Sequence, residues 1–153
     1  MATNSLRIKE IPHIQDLAYC MGQEGCLFIV LCAIAEQISN MRIDLLRMAH
    51  IAIEHGYLDY VYKEPRNHLR EAFYVRDRDN LLTLLTGKKG ITTRKVKTLP
   101  RNYKGYYYIQ YRNGNYTHFV LPDYNSMYYS ATVAKGEIEY YVLVNVPEEV
   151  PCG

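Results

Sequence analysis

An α+β fold is predicted for this chain, on three observations. Apolar residues in the first half fill a helical face or a whole helix, while in the second half they alternate in twos between turn signals. Sixteen tyrosines accompany no tryptophan, a usage that suits strands with one buried and one wet face. Helical pattern first and strand pattern second is the α+β arrangement. At 153 residues, 48% hydrophobic and 22% charged, the chain is long enough for one domain with a real core. No repeat, low-complexity tract or linker divides it, so 1–153 reads as a single domain. Its helical part covers about 11–86 and its sheet part about 90–146.

Residues 11–21 form a short amphipathic pattern behind Pro12, and a Gly-Gln-Glu-Gly turn follows. The next segment, from Cys26 to about Ile38, is apolar on every face for about three turns, so it reads as a helix buried all round. Residues 42–55 place Ile43, Leu46, Ala49 or His50, and Ile53 on one side, and Gly56 supplies the stop. A further helix is expected from about Asp79 to Leu85, capped by Asp77 or Asp79 and ended by Gly87. The period then changes. Tyr106–Tyr111, Tyr116–Leu121, Tyr128–Val133 and Glu137–Val146 read as strands. Asn113-Gly114 is a strong two-residue hairpin signal, since a type I′ turn needs positive φ at both central positions. It would set Arg112 opposite Asn115 and His118 opposite Ile109. A four-stranded antiparallel meander is therefore expected.

Bulk properties exclude several classes. The longest apolar run, Cys26–Ala35, is far short of the ~20 residues a membrane span needs, so no membrane partner is expected. The first fifteen residues lack the apolar stretch of a signal peptide. Cys20, Cys26, Cys32 and Cys152 have neither the short spacing of zinc ligands nor a disulfide framework. They read as reduced thiols in a cytoplasmic protein, with no metal or organic cofactor implied.

Cys26 stands apart because it opens the buried helix. Unpaired N–H groups and the positive end of the helix dipole favour thiolate over thiol at that position. Gly25 keeps the approach to the sulfur clear of a side chain. Cys32 reads as a small core residue. Of five histidines, His118 is the natural partner, since a strand holds an imidazole rigidly. On its strand His118 shares a face with Val120, while Thr117, Phe119 and Leu121 point the other way. Asn125 and Asp123, in the turn after that strand, are both candidates to orient the imidazole.

Gly25-Cys26 entering an apolar helix, then His118-Phe119-Val120 on a strand, then an acidic or amide residue, resembles the papain-like cysteine peptidases. The compact bacterial branches, bacteriocin-leader peptidases and cell-wall amidopeptidases, are closest in size. The stretches GCLFIVLCAIAE, GYLD, THFVL and YNSMYYSATVAKGEIEYYVL also look like a family of uncharacterised spirochaete-plasmid and phage proteins, over about Tyr19 to Val144. The resemblance implies a papain-like layout and a thiol hydrolase acting on a peptide or protein substrate. Cys26 would be the nucleophile, His118 the base and then the acid, and Asn125 the orienting residue, where relatives are expected to carry Tyr-Asp-Ser at Tyr124-Asn125-Ser126. Papain-like enzymes place a Gln about two helical turns before the nucleophile to donate to the oxyanion. Here the nearest is Gln23, three residues before Cys26, so either Gln23 or backbone N–H groups would serve.

A second site class is electrostatic. Between Asn80 and Pro122 stand eight Lys or Arg and no Asp or Glu: Lys88, Lys89, Arg94, Lys95, Lys97, Arg101, Lys104 and Arg112. Tyrosines interleave with the end of that run. Basic groups with aromatic rings on a sheet can hold single-stranded nucleic acid. The alternative to an enzyme is thus a binding module on the same fold, using region 88–116 for nucleic acid or a protein partner.

Overall fold

The computed structural model describes residues 25–61, 72–122 and 136–147. The expected helix 11–21 and strand 128–133 lie outside the described residues, as do Gln23, Asp123 and Asn125.

The first element, α1 (Cys26–Ser39), buries Phe28, Val30, Leu31, Cys32, Ile34 and Ala35. The expected burial on every face is met only in part: Leu27, Ile29 and Ala33 are half-buried and Glu36 and Gln37 are exposed. It ends at Asn40, which adopts left-handed φ of 55° and donates its N–H to Glu36 O. The next helix, α2 (Leu45–Glu54), starts at Asp44, whose carboxylate accepts from Arg47 N–H at 3.2 Å. It stops at Gly56, where φ is 76°. There Gly56 N–H reaches Ile53 O, and Tyr57 N–H reaches Ala52 O. This pair of bonds is the Schellman closure that a left-handed glycine permits.

The region between α2 and the next helix departs from expectation. It is not helical throughout: β1 (Leu58–Val61) and β2 (Ala72–Val75) pair antiparallel, Leu58 opposite Val75. Leu-Asp-Tyr-Val and Ala-Phe-Tyr-Val are short, β-branched and aromatic segments, which favour a pleated ribbon over a helix. After the ribbon, α3 (Arg78–Thr86) begins on Asp77, whose side chain accepts from Asn80 N–H at 3.1 Å. It ends on Gly87 with φ 70°.

The main sheet comprises β3 (Thr92–Val96), β4 (Tyr106–Asn113), β5 (Tyr116–Val120) and β6 (Glu137–Asn145). Its order is β3-β6-β4-β5, antiparallel throughout. This corrects the meander. From Tyr141 to Val144, β6 has β3 on one side and β4 on the other, leaving no edge there for the 128–133 segment. The reason is visible in its residues: Val142, Leu143 and Val144 are all buried. A run apolar on both faces belongs inside a sheet.

Helices α1 and α3 pack together over one face of this sheet, α1 on the β4–β5 side and α3 on β3. The core lies between the layers, where Tyr108, Val142 and Val144 meet Phe28, Leu31, Leu81 and Leu82. The architecture is α+β. Among the described residues no helix is long and apolar enough to cross a membrane.

Candidate active site

Cys26 is the first residue of α1, and Gly25 is its N-cap with φ −99° and ψ 18°. Gly25 O accepts the first helical bond, from Ile29 N–H at 2.9 Å. No side chain caps this end, and no acidic residue stands in its first turn. No carboxylate in that turn therefore opposes a negative charge on sulfur, and the helix dipole favours one. Cys26 is half-buried.

Cys32, further along the helix, has the opposite surroundings. Burial, and then the nearby Glu36 charge, push its thiol far above the ordinary range. It is a core residue with no reach to solvent.

His118 lies on β5, the sheet's outer strand among the described residues, and α1 packs against that strand. Its register differs from expectation: His118 faces Tyr111, not Ile109, because Asn113 pairs with Tyr116. The two-residue loop is thus Gly114-Asn115, with positive φ at Gly114 (60°) and not at Asn115. A turn with positive φ at its first central position only is the type II′ pattern, which demands Gly first. The Asn-Gly-Asn sequence contains both signals, and Gly114 takes the leading place. The slip is two residues, so it leaves the side-chain faces as expected.

Those faces matter for the site. Phe119 packs edge-on against Tyr108, with ring centroids 5.9 Å apart, and joins the core beneath the helices. Alternation then puts His118, half-buried, on the other face with Val120, Ile109 and Tyr111.

A separate polar cluster occupies the far end of the helix-bearing face. Between Gln110 and Tyr111 the β4–β6 register shifts, leaving Glu139 as the extra residue on β6. Arg112 clamps Glu139 through Nε and Nη2, and Gln110 Nε2 donates to the same carboxylate at 3.2 Å. Lys95 and Lys97 set their ammonium groups 5.1 and 4.2 Å from the Tyr140 ring centre. Burial, and then Arg78, hold the Lys95 ammonium below its ordinary pKa. Beside this cluster opens a cleft of about 430 Å³, lined by Lys97, Arg112, Asn113, Glu137, Ile138 and Glu139. Sequence reasoning missed it. Its cations Lys95, Lys97 and Arg112 belong to the basic run singled out above, but the meeting of Glu139 with Arg112 depends on long-range register. Among the described residues, no three His, Cys, Asp or Glu side chains gather as a metal would require.

Comparison of the chain with models of protein families, with curated proteins and with solved structures gives no match.

Proposed function

We propose that this protein is a papain-like thiol hydrolase acting on an amide or isopeptide bond. The observation that carries the reading is a half-buried thiol as the first residue of a buried helix with a glycine cap and no carboxylate in its first turn. That helix is seated against the strand bearing His118. In the reaction Cys26 gives its proton to His118, and the thiolate sulfur attacks the scissile carbonyl carbon. The tetrahedral intermediate collapses, the C–N bond breaks, and His118 passes the proton to the departing amine. Water, deprotonated by His118, then cleaves the thioester and restores the thiol. The imidazole has to come to the sulfur from a strand whose Phe119, not His118, turns toward α1. Asn125 accepts from its second nitrogen, and Gln23 or backbone N–H groups bind the oxyanion.

The test is the pH profile of Cys26 alkylation. The expected apparent pKa lies well below the ~8.5 of a free thiol, and His118→Ala moves it back toward that value. A wild-type profile matching a free thiol overturns the proposal.

A second reading, a catalytically silent binding module of the same layout, is favoured by one observation. Phe119, not His118, turns toward α1. Under that reading His118→Ala leaves the Cys26 profile unchanged.

A further inference from the structure

The tyrosines of the main sheet divide between its two faces. Tyr108 is fully buried beneath the helices. Tyr140 is engaged by Lys95 and Lys97 on that same side.

The opposite face is built differently. Register sets three rows across it. The first runs Arg94, Leu143, Tyr107. The second runs Val96, Tyr141, Ile109, Val120. The third runs Ile138, Tyr111, His118. Leu143, Ile109 and Val120 form a buried apolar floor, while Tyr107, Tyr111 and Tyr141 keep part of their surface in solvent. Tyr103 meets Tyr107 edge-on at 6.0 Å, and Tyr107 meets Tyr141 tilted at 6.2 Å, so none of these rings is stacked flat on another.

Among the described residues the charge on this face has one sign. No Asp or Glu falls in the three rows, and Arg94 is exposed at their end. Its charge is felt at Tyr103, where it opposes the upward shift that burial gives the phenol. The β3–β4 connection adds the exposed cations Arg101 and Lys104. On the helix-bearing face, by contrast, Glu139 already occupies Arg112.

We propose that the sheet face turned away from α1 and α3 binds single-stranded nucleic acid, with bases stacked on Tyr107 and Tyr141 and the phosphate backbone held at Arg94. Aromatic rings on the central strands of an antiparallel sheet suit this use, because unpaired bases stack on them whatever their identity. Arginine at the border supplies the phosphate contact. The inference is independent of the thiol chemistry above.

The test uses the whole chain with a labelled single-stranded oligonucleotide, followed by anisotropy and by tyrosine emission, which no tryptophan obscures. Binding is expected at low salt, with quenching of tyrosine emission. Tyr107→Leu and Tyr141→Leu should each weaken it roughly fivefold or more, whereas Tyr107→Phe and Tyr141→Phe, which keep the rings, should bind like the parent. Arg94→Gln should reduce the salt slope by about 0.7. No binding at low salt overturns the proposal. So does binding that the leucine variants leave intact and that quenches no tyrosine.

Discussion

Cys26 and Cys32 share one helix, yet their thiols stand in opposite surroundings. Cys26 opens α1 half-buried at its positive end, whereas Cys32 is 3% exposed among core side chains. A thiol reacts as thiolate and only when reached, so native alkylation should modify Cys26 and spare Cys32. Raising the urea concentration should release Cys32 along the unfolding curve. Peptide mass mapping after timed iodoacetamide treatment reads both sites at once. If Cys32 is labelled as fast as Cys26 in the native protein, α1 is not packed as described.

That contrast was legible in the sequence because both residues are set by local pattern. Cys26 follows a glycine at a helix start, and Cys32 sits in a run apolar on every face. The caps were legible for the same reason: Asp77 accepts from Asn80, and Gly56 and Gly87 take positive φ. What escaped was non-local. The β1–β2 ribbon joins two segments of four residues each, too short for periodicity to separate from helix. The place of β6 between β3 and β4 depends on pairing across the chain, although its run of buried Val142, Leu143 and Val144 hinted at an inner strand. The candidate site was half legible. Parity along β5 gives the face of His118, but which face α1 covers is decided by packing.

Tyr108 leads to an alkaline prediction. Its ring is fully buried, and its hydroxyl accepts from Arg78 Nη1 at 3.3 Å. Burial raises the phenol pKa, with Arg78 opposing in part. The folded chain therefore keeps this proton where the unfolded chain loses it. Stability should fall as pH rises past the ordinary tyrosine value of 10.0. Tyr108→Phe should flatten that alkaline limb while costing about 1 kcal/mol near neutrality for the lost hydrogen bond. Urea denaturation of both proteins across the alkaline range checks it. Parallel alkaline limbs would mean the phenol ionises freely and is not sealed in the core.

At the acid end the group to watch is Glu139. A hydrogen bond from Arg112 is the main cause holding its carboxyl below the usual range, aided by the charges of Arg112, Lys97 and Lys95 against some desolvation. A lowered folded-state pKa adds stability above the ordinary carboxylate value, and this is lost as pH falls through the lowered one. Glu139→Gln should therefore reduce stability at neutral pH and lessen its decline on acidification. Because Arg112 is half-exposed, salt should shrink the difference between the two proteins. Glu139 is also the extra residue where the β4–β6 register shifts, so its loss should loosen that end of the sheet first. Hydrogen exchange should then quicken at Tyr111 and Arg112 while Tyr108, deep in the core, keeps its protection. Equal acid limbs and unchanged exchange at Arg112 would show that the clamp contributes nothing to holding β4 against β6.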